Sequence, residues 1–149
     1  MNAHFLSSSE KKELLAQLNE QFGISELLYL LLETGREKIR GFSGSLSKDE
    51  ILDLAQSLNI EIIGLYIFKQ EHDLRLSFDA THLLAPQLSK NIVDINDEQL
   101  ALWIRGHDLD IKAPRGTLII RHNNDFLGCG KSTEERILNH VPKERRLRK

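Results

Sequence analysis

The chain has 149 residues, of which 40% are hydrophobic and 28% are charged, and its formal net charge is -2. This size allows one domain or two small ones, and the composition is typical of a soluble globular protein. No apolar run reaches the roughly 20 residues of a membrane-spanning helix, no secretion signal is recognisable, and a single cysteine excludes an internal disulfide, so we expect a cytoplasmic protein without a membrane partner.

The first part of the chain predicts one helix followed by strands. Ser7-x-x-Glu10 forms a capping box, and Gly23 is a suitable helix stop. Ile24 to Leu32 fits either a buried helix or a strand, but the turn signal after it and the alternating segment Lys38 to Phe42 favour two strands. The apolar stripe of the helix consists of Leu14, Leu15, Leu18 and Phe22.

A second helix and a buried strand are predicted next. Ser47-x-x-Glu50 begins the helix with another capping box. Ile60 to Phe68 has the pattern of a strand that is buried on both faces, and Gly64 within it indicates a bulge or a close crossing. The polar segment Lys69 to Asp73 is the predicted boundary between two domains.

Alternating strands and short helices follow the boundary. Leu74 to Phe78 alternates as a half-buried strand, Asp79 is the predicted cap of a short helix, and Pro86 ends that helix. Ile92 to Ile95 is the next predicted strand.

Another capping box, Asn96-x-x-Gln99, opens a helix that Gly106 stops. Trp103 lies on its apolar stripe, where core packing is favoured over a stacking platform for a base. Leu109 and Ile111 then alternate as a further strand.

The last predicted element is a hairpin. Thr117 to Ile120 forms one strand, residues 122–125 form the turn, and Phe126 to Lys131 forms the return strand. Gly128 and Gly130 are two residues apart and are therefore expected on one face, leaving bare backbone that another backbone or a ligand can approach. Leu127 and Cys129 are expected to face the other way, into a core.

The charges are distributed unevenly. From residue 111 onwards there are 10 Lys and Arg against 4 Asp and Glu, whereas residues 1–110 carry 10 against 18, so the two parts have net charges of +6 and -8. A basic end beside a flat hairpin suits a phosphate backbone. A solvated, frayed tail is the other interpretation of a terminal charge run.

Three segments carry a resemblance to a known family: Leu74-Arg75-Leu76-Ser77, Phe126-Leu127-Gly128-Cys129-Gly130-Lys131, and residues 138–147, which read LNHVPKERRL. They resemble a PUA domain, an RNA-binding module, and in particular the PUA-like C-terminal domain of Sun-type RNA cytosine-5 methyltransferases. Together with the upstream part, the chain also resembles the Nip-seven-type ribosome-biogenesis proteins. The resemblance covers about residues 25–147.

The resemblance implies an α+β protein in which a small mixed pre-PUA domain, residues 1–72, precedes a PUA-type pseudo-barrel, residues 73–149. It implies a non-catalytic RNA-binding protein that acts on structured RNA, either rRNA or tRNA, in ribosome biogenesis or RNA modification. The acidic N-terminal domain would be repelled by RNA and is the candidate surface for a protein partner. The alternative function is that of a protein-docking accessory subunit of an RNA methyltransferase.

The expected RNA-binding residues combine cations, glycines and polar groups from these motifs. Lysines and arginines would hold phosphates, and the glycines would let the backbone come close. His140 either stacks on or bonds to RNA, or is a turn residue that caps the fold. The predicted set is Arg75, Arg121, Gly128, Gly130, Lys131, Asn139, His140, Lys143, Arg145, Arg146 and Arg148.

No catalytic, cofactor or metal site is predicted. Gly130-Lys131-Ser132 lacks the preceding glycine of a phosphate loop, because Asp125 stands five positions before Gly130. Cys129 alternates with glycines and is expected to be a small core residue. The six histidines have no i, i+2 or i, i+4 spacing, so no local metal pair exists.

Overall fold

A computed structural model describes residues 3–34, 38–42, 49–50, 65–70 and 73–147 of the chain. These residues form three α-helices, two short 3-10 turns and nine strands. Along the chain the elements are β1 (Ala3–Phe5), α1 (Ser8–Phe22), β2 (Leu30–Thr34), β3 (Lys38–Phe42), β4 (Leu65–Gln70), β5 (Leu74–Leu76), α2 (Phe78–Leu83), a 3-10 turn (Ala85–Gln87), β6 (Ile92–Asp94), α3 (Asp97–Trp103), β7 (Gly116–His122), β8 (Asp125–Ser132), β9 (Ile137–Asn139) and a 3-10 turn (Lys143–Arg145).

The strands form two sheets. The first has the order β1-β2-β3-β4-β5 and is antiparallel throughout. The second has the order β6-β7-β8-β9, in which β6 and β7 are parallel and the other pairs are antiparallel. The α+β class is therefore as predicted. Among the described helices, none is long and apolar enough to cross a membrane.

Helix α1 follows the predicted pattern closely. The Ser7 side chain accepts a hydrogen bond from the Glu10 backbone N–H, while the Glu10 carboxylate accepts one from the Ser7 N–H at 3.0 Å. Gly23 ends the helix in the left-handed region, with φ of 85°. The buried face consists of Leu14, Leu18 and Phe22. Local sequence signals therefore fix both ends of this helix.

The starts of the other two helices differ in how well they were predicted. Helix α3 begins with the predicted capping box of Asn96 and Gln99. Helix α2, however, is capped by Ser77, whose hydroxyl accepts from the Ala80 N–H at 3.1 Å, so the prediction of Asp79 as the cap is wrong. Asp79 lies in the first turn, where its negative charge still interacts favourably with the helix dipole.

Some strand predictions need adjustment. Two further predictions, one of a helix and one of a bulge, are not fully covered by the described residues. Only residues from Leu30 onward form a strand in the Ile24 to Leu32 segment, and Leu109 makes a single bridge to Ile137 in place of a strand. Residues 49–50, within the helix predicted from Ser47, are helical, but the rest of that helix and the bulge predicted at Gly64 lie outside the described residues.

The second sheet separates two hydrophobic cores. Neighbouring residues of β7 face opposite ways: Ile119 enters the first core, and Ile120 enters the second. The first core also holds α1, α2, strands of the first sheet, Phe126 and Cys129, whereas Trp103 of α3 fills the second and is 0% exposed. Residues from both sides of the proposed division at residue 72 share the first core, and β5 pairs with β4 across it. The domain boundary stays a prediction.

Strand β8, which lies between the two cores, contains a bulge. Arg121 pairs with Phe126 and Ile119 pairs with Cys129, so two residues of β8, Leu127 and Gly128, lie opposite Ile120 alone. Gly128 has φ of 79°, which favours glycine. The bulge breaks the side-chain alternation that was expected along this strand.

Both helices of the second half hold the bulge by hydrogen bonds. The Gly128 N–H donates to the Thr81 hydroxyl of α2 at 3.2 Å, and the Trp103 indole N–H of α3 donates to the Leu127 carbonyl at 2.8 Å. Thr81 is 0% exposed and donates its own proton to the Phe78 carbonyl at 2.7 Å. These side chains satisfy backbone groups that the bulge removes from the regular ladder.

Replacing Thr81 by Val should test this anchor, because Val keeps the shape but leaves the buried Gly128 N–H without an acceptor. We expect a loss of about 1–3 kcal/mol in the free energy of unfolding. Urea denaturation followed by circular dichroism measures the change. The matched control is Thr117→Val on β7, where the side chain is only half-buried and the loss should be much smaller. Equal losses in the two variants would contradict the anchoring role of Thr81.

Candidate nucleic-acid interface

The glycines of β8 do not form an open surface. A hypothetical Cβ on Gly128 would lie 3.0 Å from the Phe78 ring, and one on Gly130 would lie 2.5 Å from Ile137 and 2.8 Å from Trp103. Both glycines are buried. The prediction that they offer bare backbone to a ligand is therefore wrong, because the bulge turns Gly128 toward α2 while α3 and β9 cover Gly130.

Asn139 is engaged within the protein. Its amide nitrogen donates to the carbonyls of Trp103 and His107 at 2.8 and 3.0 Å, and its side-chain oxygen accepts from the Val141 N–H at 2.8 Å. Its backbone N–H donates to the Asp108 carboxylate at 2.8 Å. The side chain thus joins the end of β9 to the end of α3, which makes it a structural residue in this geometry.

Arg121 also has an internal partner. Its guanidinium donates two hydrogen bonds to the Asp94 carboxylate at 2.6 and 2.9 Å and lies 5.8 Å from the centre of the Phe126 ring. These bonds hold the pKa of Asp94 below its usual range and raise the pKa of Arg121. Arg121 lies four residues along β7 from Thr117, the partner of Lys131. At about 3.3 Å per residue, the two cations are about 13 Å apart along the sheet.

The C-terminal residues pack against the segment that joins β5 to α2. Arg75 Nη1 and His140 Nδ1 are 2.8 Å apart, and Arg145 Nη2 lies 2.9 Å from the Asp79 carboxylate. Residues 75–79 and 140–145 therefore run side by side, and we call this surface the C-terminal seam.

The end of the described chain is anchored as well. The Arg146 Nε donates to the Val141 carbonyl at 2.8 Å, and its side chain lies over Gly106. The Leu147 N–H donates to the Ile104 carbonyl at 2.8 Å. The interpretation of this segment as a frayed tail is wrong up to residue 147, and Arg148 lies outside the described residues.

The contact between Arg75 and His140 fixes the state of the imidazole. A guanidinium has donors only, so His140 Nδ1 must be the acceptor, and the ring proton is on Nε2. The contact joins the first sheet to the residue that follows β9.

Cys129 lies below this surface. It is 3% exposed, and burial raises the pKa of its thiol to about 12. The thiol is therefore protonated at neutral pH and lacks the reactivity of a catalytic thiolate. This agrees with its predicted place in a core.

Two lysines extend the positive charge of the seam. Lys131 is exposed on β8 and is paired with Leu138, two residues before His140, so that Lys131 and His140 share one face of the second sheet. Lys143 is exposed between the two contacts of the seam. The acidic neighbours are Asp79 and the exposed Glu144. The structure thus brings together Arg75, Lys131, His140, Lys143 and Arg145.

Sequence reasoning did not find the role of Asp79. The residue was assigned to a helix cap, and its partner Arg145 is 66 positions away in the chain. The only available signal was an acidic residue in the segment that follows the first motif, and that pattern is too common to indicate an ion pair.

Known proteins resemble this chain in sequence and in structure. Residues 90–147 match the family model of the methyltransferase RsmF PUA domain. The chain is 25% identical over 150 residues to the ribosomal RNA small subunit methyltransferase F of Psychromonas ingrahamii, and 24% identical over 143 residues to the protein of that name from Shewanella woodyi. These matches cover 94% and 93% of this chain but only 30% and 28% of the relatives. The chain thus spans about 30% of the length of these methyltransferases.

A solved structure has the same fold. The conserved PUA domain protein from Thermoplasma acidophilum is 18% identical to this chain and aligns over 93% of each chain with a TM-score of 0.59. With the family match, this similarity confirms the predicted resemblance: the chain has the α+β fold of a PUA-domain protein, and its residues 90–147 match the model of the RsmF methyltransferase PUA domain.

Proposed function

We propose that this chain is a non-catalytic RNA-binding protein that holds structured rRNA or tRNA during rRNA modification or ribosome assembly in the cytoplasm. Residues 1–72 would act as a pre-PUA domain and residues 73–149 as the RNA-binding domain. The observation that carries the proposal is the C-terminal seam, where cations that are far apart in the sequence lie on one surface.

The two exposed lysines are the strongest candidates for phosphate contacts. Lys131 and Lys143 make no ion pair within the part of the chain that the structure describes. A lysine that has no acidic partner in the protein does not have to break an ion pair when it binds a phosphate. The release of counterions from the RNA then favours the complex. Phosphate contacts of this kind position folded RNA without reading its sequence.

Arg75 and His140 give the proposed RNA-binding surface two polar side chains in a fixed arrangement. Their mutual contact at 2.8 Å holds both side chains in a defined orientation. Because side chains that are already ordered lose less entropy on binding, this pair suits a rigid ligand such as a folded RNA. Asn139, Arg121 and the two glycines are left out of the proposed surface, since their contacts are with the protein.

A binding role fits the residues that the structure describes. The relatives are named as methyltransferases, and the chain corresponds to about 30% of their length. The one thiol lies in a core and has a pKa of about 12, so it supports no nucleophilic chemistry on the surface.

Changing Lys131 and Lys143 to Ala together should weaken RNA binding and reduce its salt dependence. Each lost phosphate contact should reduce the slope of log K against log salt by about 0.7–0.9. Fluorescence anisotropy of a labelled hairpin fragment of small-subunit rRNA, measured at several salt concentrations, gives the slope. Lys12→Ala is the control, since Lys12 is an exposed lysine on α1 away from the seam. A double variant with the wild-type slope would remove these lysines from the interface.

Changing Asp79 to Asn should have the opposite effect. Asp79 neutralises Arg145 in the free protein, with their side chains 38% and 50% exposed, so a phosphate must compete with the carboxylate. We expect the variant to bind the same RNA several-fold more tightly at low salt.

The control for this experiment is Asp110→Asn. Asp110 lies 3.6 Å from Arg136, so the control makes the same change in net charge and also releases an arginine, but outside the seam. An equal gain in affinity for both variants would show a general charge effect and would argue against a specific role of Arg145.

The second candidate function is docking onto a separate RNA methyltransferase. The observation that favours it is the match to a part of much longer methyltransferases, together with the acidic N-terminal part of the chain. If docking is the main role, a methyltransferase should stay bound in a pull-down after nuclease treatment. Loss of all partners after nuclease would support RNA binding as the primary role.

A further inference from the structure

Three side chains with metal-binding atoms converge at the edge of the first sheet. His4 Nε2 lies 3.3 Å from a carboxylate oxygen of Glu33 and 3.8 Å from one of Glu10. The three ligand atoms all lie within 4.8 Å of one another. This cluster is on the N-terminal part of the chain, and the proposed RNA-binding surface does not include it.

The fold builds this cluster from three separate elements. His4 on β1 lies directly opposite Glu33 on β2 in the antiparallel ladder, so both side chains project from the same face. Glu10 is the third residue of α1 and lies in its first turn. The ladder and the helix start, both regular structures, therefore set the positions of all three residues.

The capping box also orients the Glu10 side chain. One carboxylate oxygen accepts from the Ser7 backbone N–H at 3.0 Å, which leaves the other oxygen directed toward His4. The carboxylate is thus held in place before any ligand binds.

We propose that His4, Glu10 and Glu33 form a binding site for a divalent transition metal ion such as Zn²⁺. One imidazole nitrogen and two carboxylate oxygens are ligands that Zn²⁺ accepts, with bond lengths of about 2.0–2.2 Å. In a tetrahedron such lengths place neighbouring ligands about 3.4 Å apart, close to the 3.3 and 3.8 Å found here. Only the Glu10 and Glu33 oxygens need to approach each other further.

The exposure of the site leaves room for the remaining ligand. The side chains of His4, Glu10 and Glu33 are 57%, 48% and 27% exposed, so water completes the coordination shell. Two carboxylates held this close repel each other, and a divalent cation removes that repulsion. A bound ion would also fasten the edge strand β1 to α1.

The test is calorimetric titration of the chelator-treated full chain with Zn²⁺. We expect one ion per chain, and at least tenfold weaker binding in His4→Gln and in Glu33→Gln. Glu13→Gln is the matched control, because it removes an exposed carboxylate from the same helix and should leave the affinity unchanged. Zn²⁺ should also raise the melting temperature of the wild type, since only the folded chain brings the three ligands together.

A second measurement uses the wild-type chain, so it does not depend on the folding of a variant. Nuclear magnetic resonance of the histidine side chains distinguishes the six imidazoles of the wild-type chain, and Zn²⁺ should shift the signals of His4 first. If another histidine shifts first, or if Glu33→Gln binds Zn²⁺ as tightly as the wild type, the proposed site does not exist.

Discussion

The bulge in β8 is the constraint on which the rest of the second half depends. Two hydrogen bonds reach it from opposite faces of the sheet, one from Thr81 of α2 and one from Trp103 of α3. The first fixes α2, and therefore the position of Asp79 at the seam. The second fixes α3, whose end receives Asn139 and the C-terminal residues. Both helices that position the candidate interface are therefore bonded to the bulge.

Local signals in the sequence were sufficient for much of the fold. The capping boxes at Ser7 and Asn96, the glycine stop of α1 and the turn of the final hairpin each depend on residues within about four positions of one another. The bulge could not be predicted in this way. Two glycines spaced by two share a face only in a regular strand, and here the strand is made irregular by partners on α2 and α3 that lie far away in the chain.

The candidate interface shows the same limit. The sequence alone identifies the cations, because the Lys and Arg residues are concentrated near its C-terminal end. It could not show that Arg75 meets His140 or that Arg145 meets Asp79, since these partners are 65 and 66 positions apart. Local spacing of histidines could not reveal the cluster of His4, Glu10 and Glu33 for a similar reason, because this cluster depends on the pairing of β1 with β2.

The burial of Cys129 has a practical consequence. The chain has a single sulfhydryl, and it lies in the core that both sheets share. An alkylating reagent can modify it only during an opening of that core, so the rate of modification measures how often the core around Cys129 opens. Cys129 is thus a built-in probe of local opening of the core, which works in the native state and requires no attached fluorophore.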